Sequence, residues 1–206
     1  MKLVYLKTPK VYLLLLFMLV TALTYSDLFV SSDAKLFEVF FLGTSSYGTI
    51  VSHILGTFLW PVLIILLALK SGKSRLVALT LLVSLIIAQL LRMSFTEFLP
   101  REGTIIFERI SSSFPSGHTA RAFAAATVMF VSFGGRRRWL FVILGLGAGI
   151  SRLLLGAHFV TDVIGGALLG IWAGTMGLAL VAQMMRVRAG SGDNESRDDT
   201  QKEIVT

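Results

Sequence analysis

Six long apolar runs leave this chain few ways to fold. They cover roughly residues 11–30, 49–69, 76–95, 119–133, 139–155 and 159–185, each reaching or approaching the roughly 20 helical residues that cross a hydrocarbon core. In lipid a segment must satisfy its own backbone hydrogen bonds, so these runs are expected to be helices. Pro61 inside the second run predicts a kink rather than a break. Composition agrees. Apolar residues make up 54% of the chain, charged residues only 15%, and the mean hydropathy is +0.77. Soluble domains carry about 25% charged residues, so this chain lacks the polarity to cover a water-soluble globule. A soluble enzyme, a disordered regulator and a free nucleic-acid binder are thereby disfavoured. The expected fold class is all-α: a polytopic bundle of six transmembrane helices at residues 1–185, followed by a polar tail at 186–206.

The charges orient the bundle. Of 19 Lys and Arg residues, 13 fall on one side of a six-span arrangement: Lys2, Lys7, Lys10, Lys70, Lys73, Arg75, Arg136, Arg137, Arg138, Arg186, Arg188, Arg197 and Lys202. The positive-inside rule places that side, with both termini, in the cytoplasm. The pI near 10.1 is accounted for by these orientation signals, with contact to anionic lipid secondary and nucleic acid no expected partner. A rival reading takes Lys2–Lys10 and the following apolar run as a cleaved signal peptide, which would leave five spans. Alternating basic loops fit six spans better.

Gly166, Gly170 and Gly174 on the sixth run, and Gly145 and Gly149 on the fifth, recur every four residues. Such ridges let helix backbones approach closely in lipid. From Arg186 onward the composition turns polar and is expected to be disordered. The chain contains no cysteine and three histidines, so disulfides and thiolate metal sites are excluded; neither a metal nor a cofactor is expected.

Ionisable groups retained beside membrane spans usually serve function. Here they gather in three places on the expected outer side: residues 92–101, residues 113–118, and Ser151-Arg152…His158…Asp162. In the third, Asp162 lies one helical turn beyond His158 and can hold one imidazole proton, leaving the other nitrogen as nucleophile or base. Arg152 offers a forked cation suited to phosphate oxygens. The alternative is a His–Asp pair capping a helix end, with Arg152 reaching for the interface. In the second, Pro115 stops the preceding segment, Ser116 is placed to N-cap a helix, and Gly117 lets a ligand approach the first free N–H groups. His118 can then donate a proton to a leaving oxygen. An ordinary capped helix bearing a surface histidine is the alternative.

Together these motifs resemble the type 2 phosphatidic acid phosphatase and haloperoxidase superfamily, in its small six-helix membrane branch. Pro115-Ser116-Gly117-His118 and Ser151-Arg152…His158…Asp162 match that family's second and third motifs without a gap. The resemblance implies a metal-independent phosphatase working through a phosphohistidine. His158 would attack phosphorus, Asp162 would orient it, and His118 would protonate the leaving group. Arg92, Ser116, Gly117 and Arg152 would hold the phosphoryl oxygens. The first motif departs from the family: Arg92 stands at its lysine position and Leu99 at its arginine position. Arg101, just past Pro100, is the expected replacement cation, with Arg109 a weaker one.

His53 is expected to be a hydrogen-bonded bundle histidine rather than a substrate contact. Arg121 either braces a loop or meets a second phosphate. Glu97, Glu102 and Glu108 are expected to balance arginines. Ile105, Ile106, Phe107, Ile110 and Phe114 suggest a short interfacial segment between the third and fourth helices, or a cap on the bundle. A site at the outer membrane–water boundary calls for a lipid phosphate or pyrophosphate as substrate: phosphatidic acid, phosphatidylglycerol phosphate, polyprenyl pyrophosphate or a lipid A phosphate. A lipid-to-lipid phosphotransferase and a non-enzymatic transporter or scaffold are the alternatives.

Overall fold

The computed structural model describes residues 9–43, 45–99, 101 and 112–204. Among them every regular element is helical: α1 (Pro9–Thr24), α2 (Asp27–Phe40), α3 (Ser46–His53), α4 (Leu59–Ala68), α5 (Lys73–Phe98), α6 (Gly117–Ser132), α7 (Arg138–Leu154) and α8 (Val160–Ile204). A π-helical turn, Ile54–Phe58, fuses α3 to α4, and a 3₁₀ turn, Gly135–Arg137, precedes α7. Three helices are long and apolar enough to cross a membrane: Ser46–Ala68, Lys73–Phe98 and Val160–Arg188. The α1–α2 pair adds a fourth if its two arms count as one span. At 16 and 17 residues, α6 and α7 reach about 24–26 Å at 1.5 Å per residue, short of a 30 Å core.

One expectation is corrected. The first apolar run is not one straight helix to residue 30, because the chain turns through 90° between α1 and α2. The Ser26 hydroxyl donates to the Leu23 carbonyl at 2.7 Å, and Ser26 takes the N-cap position of α2. Helix α2 carries Asp27, Asp33, Lys35 and Glu38, charges that a continuing span would have to bury in lipid. Helix α8 continues through Arg186 to Ile204. No proline, the strongest helix breaker, interrupts that stretch. Phe114 belongs to the segment expected either at the interface or as a cap on the bundle. It is fully buried and stacks 6.1 Å from Phe17; the rest of the proposed interfacial segment, with Glu102, Glu108 and Arg109, lies outside the described residues.

Helix α6 forms the centre. Its alanines at 122, 124, 125 and 126 are buried, and their small side chains let neighbouring helices close in. The glycine ridge of α8 packs on this face. A Cβ at Gly170 would fall 2.4 Å from the Ala120 carbonyl oxygen, and one at Gly166 would fall 2.6 Å from that of Ser116. Close backbone approach in the bundle therefore requires glycine there. Trp60, Leu67, Ala78, Leu81 and Met129 fill the space between α4, α5 and α6. Large apolar side chains such as Ile65, Leu82, Ile86, Ile143 and Ile150 point outward, an arrangement suited to lipid rather than water.

Around Pro61, where a kink is expected, the helix is irregular just upstream, with a π-helical turn at Ile54–Phe58. Proline has no N–H for the turn behind it, and the preceding turn is the π-helical one. The Gly56 carbonyl in that turn accepts from Arg121 Nε at 3.2 Å.

Candidate active site

Two short turns bring the polar residues together. Helix α7 ends in a Schellman motif: Gly156 has φ +63°, Ala157 N–H donates to the Arg152 carbonyl at 3.0 Å, and Gly156 N–H donates to Leu153 at 2.9 Å. This turn accounts for the five residues between Arg152 and His158. Helix α8 then begins with Asp162 reaching back, its Oδ2 accepting from the Phe159 N–H at 2.9 Å, the reciprocal half of a capping box. His158 Nδ1 lies 3.5 Å from the same Oδ2. With Nδ1 turned to the carboxylate, Nε2 is the nitrogen left to react.

The second motif is locked to the third by its backbone, the Ser116 N–H donating to the Asp162 carbonyl at 3.0 Å. Ser116 occupies the N-cap position of α6, yet its hydroxyl caps no N–H and accepts from the Thr119 hydroxyl at 3.0 Å. The N–H groups of the first turn are therefore not capped by this side chain. His118 lies in the electrostatic field of Arg152, Arg121, His53 and His158. Its Nε2 is 3.2 Å from His53 Nδ1. Gly56 lies against the ring, for a Cβ there would fall 2.4 Å from His118 Cδ2.

Three guanidinium groups crowd this end of the bundle, with different commitments. Arg121 is spent on structure: Nε on the Gly56 carbonyl, Nη1 on Gln89 Oε1 at 3.1 Å, Nη2 on Thr57 Oγ1 at 3.2 Å. Of its two expected roles, bracing is the one these contacts serve. Arg152 spends Nη1 on Ser52 Oγ at 3.2 Å, while its Nε is buried without a partner among the described residues. Arg92 Nε is likewise buried and unpartnered, beside Gly117. A buried N–H left unpaired is costly, so these two groups point to an anion as their intended partner.

Arg101 faces elsewhere. Expected beside the phosphate, it donates from Nη1 to Asp162 Oδ1 at 2.5 Å and to Thr161 Oγ1 at 2.9 Å, and from Nη2 to Asp33 Oδ2 at 2.9 Å. Its guanidinium also stacks 4.6 Å over the Phe159 ring. The carboxylates that balance it are Asp33 and Asp162, whereas the sequence pointed to nearby glutamates. Sequence reasoning also missed Asp33 as a site residue and the His53–His118 contact. The available signal for Asp33 was an acidic residue beside an apolar span, hidden among three other charges of α2. Among the described residues no group of three or more His, Cys, Asp or Glu side chains gathers to hold a metal ion.

Among the described residues this arrangement sets one imidazole beside a carboxylate, a second imidazole beside a third, and two buried guanidinium Nε groups without partners. Comparison with known proteins points the same way. The chain is 32% identical over 111 residues to the bacitracin transport permease protein BcrC of Bacillus licheniformis, covering 50% of this chain and 54% of that one. It is 41% identical over 70 residues to a lipid A 1-phosphatase of Porphyromonas gingivalis, covering 32% of this chain and only 16% of that one. The matches therefore span about half of the first relative and far less of the second. In fold, it resembles the crystal structure of a transmembrane PAP2-type phosphatidylglycerolphosphate phosphatase from Bacillus subtilis, with a TM-score of 0.70 and 22% identity over 84% of this chain and 96% of that one. The sequence model of the PAP2 superfamily matches residues 73–186, more than half of the chain and every residue of the second and third motifs: the chain belongs to the PAP2 superfamily.

Proposed function

We propose that the chain is an integral-membrane lipid phosphate phosphatase that works without a metal, through a phosphohistidine on His158. The observation that carries this reading is the pairing of His158 Nδ1 with buried Asp162 at 3.5 Å, beside two guanidinium groups whose Nε atoms have no protein partner. The Nε2 lone pair of His158 attacks phosphorus, forming a P–N bond as the P–O bond to the leaving group breaks. His118 gives its proton to that oxygen. Water then attacks phosphorus, the P–N bond breaks, and the water's proton returns to His118. The net reaction consumes one water and releases inorganic phosphate and the dephosphorylated lipid. Arg92, Arg152 and the start of α6 at Ser116 and Gly117 neutralise the equatorial oxygens, and such positioning and charge stabilisation supply most of the catalysis in phosphoryl transfer.

We further propose six membrane crossings, with the termini in the cytoplasm and the site on the outer face. In support, the basic turns at residues 70–75 and 134–138 sit at helix ends remote from residues 116–118 and 158–162, and the arginines at 186 and 188 lie many turns along α8 from its start at Val160. A site at that boundary suits a phosphate whose hydrophobic tail stays in lipid. Phosphatidic acid, phosphatidylglycerol phosphate, polyprenyl pyrophosphate and lipid A phosphates all fit this description.

The test is phosphate release from a panel of these lipids by protein purified in detergent, with EDTA present. Release that survives EDTA and disappears in His158→Ala is expected. Release that requires a divalent ion, or that persists in His158→Ala, contradicts the proposal. Passage of the phosphoryl group to an added acceptor lipid, without free phosphate, would assign a phosphotransferase instead.

A further inference from the structure

Resting on the reading above, we infer that Asp33 is a positioning residue for the reaction: it takes up the charge of Arg101 so that Asp162 remains an effective base-orienter for His158. Asp162 is 0% exposed, Asp33 2% and Arg101 11%. Removing charges from water is tolerated only when they are paired and hydrogen-bonded. These three are, in a chain running Asp33–Arg101–Asp162–His158.

Taken alone, the bond of 2.5 Å from Arg101 to Asp162 would work against catalysis. A guanidinium bound to Asp162 neutralises the carboxylate that must stabilise positive charge as the imidazole attacks phosphorus. Asp33 offsets this. It binds the other arm of the same guanidinium at 2.9 Å, so the two carboxylates and Arg101 carry one net negative charge, facing His158. The oxygens divide the work. Asp162 Oδ1 is held by Arg101, while Oδ2 takes the Phe159 N–H and faces His158.

Asp33 also grips the first turn of α8, where Asp162 sits. Its Oδ1 accepts the Thr161 N–H at 3.2 Å, and its Oδ2 accepts the Thr161 hydroxyl. A carboxylate at a helix N-terminus is favoured by the helix dipole. Thr161 closes the ring by accepting from Arg101 Nη1. Asp33 comes from α2, 68 positions before Arg101, so the arm that turns 90° away from α1 delivers one residue to the catalytic carboxylate.

The experiment is a charge-balance cycle on the full-length protein in detergent, measuring kcat and KM for lipid phosphate in wild type, Asp33→Asn, Arg101→Gln and the double variant. Asp33→Asn is expected to lower kcat about 30-fold with KM changed less than about 3-fold, as for an interaction made in the transition state. Removing Arg101 as well should restore part of that loss, because Asp162 is no longer neutralised without compensation. A purely structural pair would also couple the two substitutions, but in thermal stability, with no recovery of kcat in the double variant; a double variant no faster than Asp33→Asn, or an Asp33→Asn enzyme with wild-type kcat, would overturn the inference. Should Asp33→Asn fail to fold, Thr161→Val replaces it: kcat lower by about 5-fold at unchanged KM supports the inference, and unchanged kcat refutes it. A wild-type protein inactive on every lipid phosphate would instead defeat the functional reading itself.

Discussion

On one side of the pocket, Asp33, Arg101, Thr161 and Asp162 satisfy one another in a closed ring of hydrogen bonds. On the other, the Nε atoms of Arg92 and Arg152 are buried without a partner among the described residues. Both sides bury charge, yet only the first balances it internally. The lesson is that the number of arginines near a site says little about its anion-binding capacity; what counts is which of their N–H groups the protein has already used. Arg101 and Arg121 each make three hydrogen bonds to protein groups, whereas Arg92 and Arg152 each keep a buried Nε without a partner among the described residues.

Four substitutions press on this contrast. The largest effect is expected from His158→Ala, which removes the group where the two sides meet: phosphate release should fall at least about 1,000-fold, and a smaller loss would separate the ring from the chemistry. Arg152→Ala, on the unbalanced side, should lower kcat/KM about 100-fold and weaken vanadate inhibition in parallel. Unchanged vanadate inhibition would deny Arg152 its anion. Gly56→Ala drives a methyl group into His118 and is expected to cost about 10-fold in kcat with little change in KM; a wild-type rate would show that the ring moves freely. Smallest on activity is Arg121→Met, because its guanidinium already serves Gly56, Thr57 and Gln89. It should lower thermal stability by about 2 kcal/mol with vanadate inhibition nearly intact, and the reverse pattern would place Arg121 with Arg152.

What the sequence made legible follows from what is local. The Arg152–His158 spacing is set by one helix-ending turn and the His158–Asp162 spacing by one helical turn, so both can be read along the chain. The glycines of α8 were equally readable, since their four-residue repeat marks one helix face. Direction across space was not. Arg101 stands beside Pro100 where a phosphate ligand was expected, but its side chain follows two carboxylates, one of them 68 residues away. The break at Ser26 was hidden because hydropathy averages over the window in which α1 ends and α2 begins. His53 carried a correct expectation of being hydrogen-bonded, while its partner, His118, lies 65 residues off and no pattern in sequence connects them.

The central claim is that His158 becomes covalently phosphorylated. Rapid mixing of the detergent-purified protein with phosphorus-labelled lipid phosphate, followed by an alkaline quench and peptide mapping, tests it directly. The account predicts alkali-stable, acid-labile label on the peptide carrying His158, growing in before free phosphate and absent in His158→Ala. Label on another residue, or a burst of free phosphate with His158 never labelled, would contradict it.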